Sequence, residues 1–239
     1  MPVEAVDGST PPKGIALHVK AFLEGPYGGG MMSTTLRDNG DVPLLQPFSA
    51  AVYDGTVLDY DSLQTVGALP DSTVDWVLVS LRTGTGPETE IAGTEFAALV
   101  FEGGTVASTG EDSLHFPGLG DGSYYLVLRS RNHLDVMSSS AGSVSDGTGS
   151  WDFTTVSTQA FGASPMKNLG GGSWGLYAAD GSVDGHITVP DFNIWNAATT
   201  AGATGYEPSD YNLDRQVTAP DFNLWNANTT AGAASKVPD

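Results

Sequence analysis

Residues 180–203 and 210–233 carry one phrase twice, DGSVDGHITVPDFNIWNAATTAGA and DYNLDRQVTAPDFNLWNANTTAGA, at an offset of 30 residues. An internal repeat constrains a fold strongly, because each copy is a unit that must bury its apolar side against the other or against the rest of the chain. Each copy opens with twelve residues that put oxygen-bearing groups at places 1, 3, 5, 7, 9 and 12. In the first copy these are Asp180, Ser182, Asp184, the carbonyl of His186, Thr188 and Asp191. In the second they are Asp210, Asn212, Asp214, the carbonyl of Gln216, Thr218 and Asp221. That is the spacing with which an EF-hand-type loop gathers hard oxygen ligands around Ca2+ from one short turn.

Three details qualify the pattern. Place 6, where the turn favours a positive φ, is Gly185 in the first loop and Arg215 in the second. A side chain there costs roughly 1 kcal/mol. Place 12 is Asp rather than the longer Glu. Ile187 and Val217 at place 8 are expected to point inward as anchors between paired loops. A metal-free alternative also exists: Asp191 and Asp221 are positioned to N-cap the segments FNIWNAA and FNLWNAN. Beyond the loops, Phe192 with Trp195 and Phe222 with Trp225 fall on one helix face at i, i+3. These faces are expected to pack on each other or on the rest of the protein.

These residues, Asp180, Ser182, Asp184, Thr188 and Asp191 with Asp210, Asn212, Asp214, Thr218 and Asp221, resemble the tandem calcium repeats of type I dockerin modules over about residues 178–232. The resemblance implies two bound calcium ions and, as one possible partner, a cohesin-like receptor.

The formal charge is −19 with 9 Lys and Arg, so no concentrated positive patch is available for nucleic acid or for an anionic membrane surface. Cysteine is absent, which removes disulfides, thiol catalysis and Cys-based zinc sites. No apolar run is long enough to span a membrane, and MPVEAVDGSTPPKG lacks a signal-peptide core. The chain is read as a mature form without its leader, located outside the cell or on its surface, where calcium is plentiful enough to fill such loops.

Between residues 14 and 163 the sequence predicts an all-β domain. Apolar segments at 15–25, 74–84, 95–108, 123–133 and 150–158 alternate with Gly, Pro and Asp clusters, which points to an immunoglobulin-like antiparallel β-sandwich. Residues 1–13 read as an extended segment whose Val3, Ala5 and Val6 are suited to add a strand to a neighbouring copy. Residues 164–177 form a Gly-rich connector. Its Met166, Leu169, Trp174, Leu176 and Tyr177 argue that it packs on the sandwich rather than swinging free. Residues 178–239 make up the calcium module, with short helices after the loops. The phrases VKAFLEGPYGGGMMSTTLR (19–37), DWVLVSLR (75–82), FPGLGDGSYYLVLRSRNHLDVMS (116–138) and MKNLGGGSWGLYAAD (166–180) resemble a family of large secreted or surface proteins, mainly of Bacteroidetes, known as hypothetical or haemagglutinin-like. That resemblance implies a surface or matrix role.

No catalytic constellation emerges. His18, His115, His133 and His186 are scattered, and the Glu88/Glu90 and Glu111/Asp112 pairs are local to loops. The polar cluster around His133, with Arg129, Arg131, Asn132 and Asp135, is the one candidate for an acidic sugar or carboxylate, against the simpler reading of a hydrogen-bonded turn. Trp76, Trp151, Trp174, Trp195, Trp225, Tyr124 and Tyr125 could stack on sugars but suit a core better. The expectation is a non-catalytic extracellular calcium-binding structural protein that self-associates. The alternatives are an anchoring module for a cohesin-like receptor and a glycan-binding adhesin.

Overall fold

In a computed structural model the described residues are 13–48, 60, 64–109 and 111–238. Residues 1–12, with the Val3, Ala5 and Val6 of the assembly expectation, lie outside them. In chain order the elements are β1 (Ile15–Lys20), β2 (Tyr27–Gly28), β3 (Met31–Met32), α1 (Thr35–Asp38), β4 (Thr73–Arg82), β5 (Phe96–Phe101), β6 (Thr105–Ala107), β7 (Leu114–Phe116), β8 (Gly122–Arg129), β9 (Val136–Met137), β10 (Gly142–Val144), β11 (Thr148–Asp152), β12 (Lys167–Gly170), β13 (Ser173–Gly175), α2 (Val189–Ala201) and α3 (Ala219–Thr230).

The protein is mainly β, with a large and mostly antiparallel sheet and few helices. Among the described residues nine strands share one sheet along the path β10-β8-β4-β5-β6-β1-β11, with β7 beside β1 and β9 beside β8. Strand β4 lies in its middle, paired with β5 and β8. Its sequence TVDWVLVSLR is apolar on both faces, and every residue of it is buried. Strand β1 alternates instead, hiding Ile15, Leu17 and Val19 while His18 and Lys20 face out, as a strand covered on one side must. The ends of the strand path meet at a tight β10–β11 turn, where Ser145 bridges Thr148 and Asp146 and Gly147 hold φ of 52° and 74°. Two successive positive φ values are what a hairpin turn matched to strand twist requires. The sheet thereby wraps around a core that includes Trp76, Leu78, Leu99, Leu126, Leu128 and Phe153.

The strand expectations need correcting in three places. The 15–25 segment ends as a strand at Lys20, and the 95–108 segment is two strands, β5 and β6, turning at Gly104 (φ 84°). The sheet is also not wholly antiparallel: β1 pairs β11 in parallel from Ala16↔Thr148 to Lys20↔Asp152. Because β1 and β11 are far apart in sequence, the intervening chain can supply the crossover a parallel pair needs.

The Gly-rich connector is a hairpin, β12–β13, turning on Gly170, Gly171 and Gly172, all at positive φ. Met166 and Leu176 are buried in the main core, and Leu169 and Trp174 pack against it. The repeat unit then lies on the sheet through apolar contacts, with Val183 and Leu213 in the main core and Tyr206 against it, and through polar ones. Glu24 receives Lys167 Nζ at 2.8 Å, Asn228 Nδ2 at 2.6 Å and the Ala178 N–H at 3.0 Å. Gly25 must be glycine here, because a Cβ on it would stand 1.8 Å from the Tyr211 carbonyl oxygen.

Candidate metal centre

The two loops fold alike down to single hydrogen bonds. Asp180 accepts the N–H groups of Asp184 (3.2 Å) and Gly185 (3.1 Å); Asp210 accepts those of Asp214 (3.1 Å) and Arg215 (2.8 Å). Asp184 Oδ1 takes the His186 N–H at 2.9 Å, and Asp214 Oδ1 takes that of Gln216 at 2.9 Å. Asp191 accepts from Ser182 N (2.9 Å) and Thr188 N (2.7 Å); Asp221 accepts from Asn212 N (3.0 Å) and Thr218 N (2.8 Å). The place-6 turn is left-handed in both copies, Gly185 at φ 77° and Arg215 at φ 69°. The arginine therefore holds a strained backbone, and its Nε reaches Asp41 at 2.8 Å on the far side.

Asp191 and Asp221 are not the N-caps. Helices α2 and α3 begin earlier, after Thr188 and Thr218, with Pro190 and Pro220 in the first turn. The aspartates sit at the third helical position and reach back to the cap N–H, half of a capping box. The two helices that follow the loops run 13 and 12 residues.

Nor do the loops pair with each other. Ile187 and Val217 are buried, but each loop bridges the stretch that follows the helix of the other repeat: His186↔Ala234 and Thr204↔Gln216. The repeated residues beyond the loops explain this arrangement. Trp195 Nε1 donates to the Thr218 carbonyl at 2.9 Å, and Trp225 Nε1 to that of Thr188 at 2.7 Å. Thr199 bonds the Val217 carbonyl at 3.2 Å, and Thr229 that of Ile187 at 2.9 Å. Phe192, Trp195, Phe222 and Trp225 form one half-buried cluster with ring centroids 5.0 to 6.3 Å apart. Each helix thus fastens the partner loop. Thr199 and Thr229 escaped the sequence reading, although the repeated TTAGA marked them.

The loops are buried where their charges are densest. Burial, then the neighbouring Asp191, Asp135 and Asp184, push the Asp180 carboxyl up to about 8. Burial raises Asp210 to about 7 against the pull of Arg131, and raises Asp221 to about 6. Asp191 moves up for the same first reason. Among the described residues no three His, Asp or Glu side chains gather closely enough to hold an ion on their own. Asp191 and Asp221, like Asp180 and Asp210, give both carboxylate oxygens to backbone N–H groups of their loop. A cation in either loop would draw on hydroxyl, amide, carbonyl and water oxygens beside two or three carboxylates. That is a hard donor set, with His186 offering its carbonyl rather than its ring.

The polar cluster around His133 is not an open binding surface. Arg131, Asn132 and His133 are fully buried. Arg131 Nε pairs Asp75 at 2.7 Å, Nη1 donates to the Glu207 carbonyl at 2.6 Å, and the guanidinium lies 4.0 Å above the Tyr206 ring. His133 Nε2 accepts the Gly25 N–H at 3.3 Å, and burial followed by Arg131 lowers its pKa to about 3. Asn132 touches both loops: its carbonyl accepts the Asp180 N–H at 3.1 Å and its Nδ2 donates to the Asp210 carbonyl at 2.8 Å. Residues that resembled an anion site are the seat of the repeat unit. Glu90, one of the paired carboxylates, is engaged by Arg82, Arg129 and Ser80. Trp76 is core, with Nε1 bonded to the Pro43 carbonyl at 2.8 Å.

Compared with protein-family models, with characterised proteins and with solved structures, the chain finds no significant match. No helix among the described residues is long and apolar enough to cross a membrane.

Proposed function

We propose that this chain is a non-catalytic, calcium-binding structural protein of the cell exterior, in which an immunoglobulin-like sandwich carries a dockerin-like module with one Ca2+ site in each loop. The observation that carries this reading is the duplication: two loops 30 residues apart place equivalent donors on the same hydrogen-bond framework. The raised Asp180 and Asp210 support it, because buried neighbouring carboxylates repel one another and a divalent cation relieves that repulsion. Asp180, Ser182, Asp184, the His186 carbonyl, Thr188 and Asp191 would hold one ion. Asp210, Asn212, Asp214, the Gln216 carbonyl, Thr218 and Asp221 would hold the other. The ion supplies electrostatic cross-linking, the role disulfides would play in a chain with cysteine.

The surface location follows from the same chemistry, since weak calcium loops fill where free calcium is high. Self-association through residues 1–13 rests on the sequence alone. Sedimentation of the full chain and of a variant lacking residues 2–12, with calcium, tests it. Assembly of the first and not the second is expected, and a monomeric full chain contradicts it. The Trp195 and Trp225 faces are taken up within the module, which favours a structural role for them over receptor docking.

A further inference from the structure

One short segment of the sheet domain lies between both candidate loops and offers them opposite charges. Asn132 bonds the backbone of the two place-1 aspartates, Asp180 and Asp210. One residue before it, Arg131 is fully buried and anchors the approach to the second loop through the Glu207 carbonyl and the Tyr206 ring. Three residues after it, Asp135 lines a cavity of about 410 Å³ together with Asp184, Gly185 and His186 of the first loop. The Ser235 hydroxyl, from the stretch paired to the first loop, reaches the Asp135 carbonyl oxygen at 3.3 Å. Arg129 approaches Asp135 only to 3.8 Å and shares its charge with Glu90 at 3.3 Å and Glu95 at 3.7 Å. Arg82 and Arg129 line the same cavity, but both are held by Glu90. The first loop therefore faces the Asp135 carboxylate, and its own residues include no Lys or Arg. The second faces the Arg131 guanidinium, which it shares with Asp75, and carries Arg215 at place 6, which it shares with Asp41.

We propose that the two loops are unequal by construction: the 180–191 loop takes Ca2+ first and more tightly, the 210–221 loop second and more weakly, with Asp135 and Arg131 setting the difference. This rests on the calcium reading above and deepens it. A divalent cation gains from each nearby carboxylate and loses to each nearby guanidinium, and one unit charge about 6–10 Å away in water-like surroundings changes affinity roughly three- to tenfold. The second loop gives up affinity and in return stays fastened to the sheet, through Arg215 on Asp41 and the Arg131 contacts.

Calorimetric titration of the full chain with CaCl2 tests the proposal. Two resolved steps are expected, with Asp184→Ala removing the tight one and Asp214→Ala the weak one. Asp135→Asn should weaken the tight step roughly three- to tenfold, and Arg131→Gln should strengthen the weak step by a similar factor. Loosening of the fold alone would weaken both steps in both variants, so the opposite directions are diagnostic. If Arg131→Gln does not fold, Asp135→Asn and the order of filling decide. Two equal steps, or loss of the tight step in Asp214→Ala, overturn the inference while leaving the calcium reading intact. No calcium uptake at all removes both.

Discussion

At the scale of single residues, charge decides more than shape. Asp75 and Arg131 face each other at 2.7 Å with no solvent contact, so Arg131→Met should cost about 3–5 kcal/mol by leaving Asp75 buried and unpaired. Urea unfolding measures that cost, and a loss under 1 kcal/mol would show that the pair does not fasten the unit. The raised aspartates give a pH signature in the absence of metal. A folded Asp180 that titrates near 8 and an Asp210 near 7 hold protons the unfolded chain has released above about 4. Stability from these groups is therefore full below about pH 4 and lost as pH rises through 7 to 8. His133 acts the other way: folded near 3 against 6.5 unfolded, it adds stability as pH rises from 3 to 6.5. The clean window is therefore pH 6.5 to 8. There, in chelator, the melting temperature should fall with rising pH, and saturating calcium should abolish the fall. None of this was legible in the sequence. Arg131, Asn132 and His133 look like surface residues until Asp75 and Tyr206, distant along the chain, are seen to cover them.

At the scale of elements, the repeat was legible and its wiring was not. The spacing of Asp, Ser or Asn, Thr and Trp announced two equal loop-helix units, and the i, i+3 aromatic faces do meet each other. The sequence could not say that each helix serves the other's loop. That follows from indole N–H groups and threonine hydroxyls reaching across to Thr218, Thr188, Val217 and Ile187. Trp225→Ala should cost about 2–3 kcal/mol, below a full core deletion because the ring is only half-buried. The exchange of loop 180–191 amide hydrogens should quicken more than that of its own helix α2. Equal quickening along α2 would contradict the crossed arrangement. The long strands β4, β5 and β8 were also readable, as apolar runs between turn residues. Strands of two or three residues such as β7, β9 and β10 carry too few side chains to show a period, and only their partners define them.

At the scale of the whole molecule, the places where the repeat departs from itself mark its attachment. Ala198 becomes Asn228, which bonds Glu24, Lys167 and the Ala178 carbonyl. Gly181 becomes Tyr211, fully buried with its hydroxyl on the Asp191 carbonyl at 3.0 Å. Gly185 becomes Arg215, tied to Asp41. The second copy is shaped to the sheet and the first is left nearer the symmetrical pattern. Gly25→Ala should accordingly undock or unfold the protein, since its new methyl collides with the backbone at Tyr211. Because Ca2+ binding to the native state adds RT ln(1 + [Ca2+]/Kd) to its stability, chelation should lower the melting temperature of the entire protein rather than of the module alone. The most direct test of the account is to count ions, by native mass spectrometry or equilibrium dialysis, on the wild type, Asp184→Ala, Asp214→Ala and the double variant. Two, one, one and no bound calcium ions are expected. An empty wild type, or a double variant that binds as many ions as the wild type through its acidic surface, would contradict the assignment of calcium to these two loops.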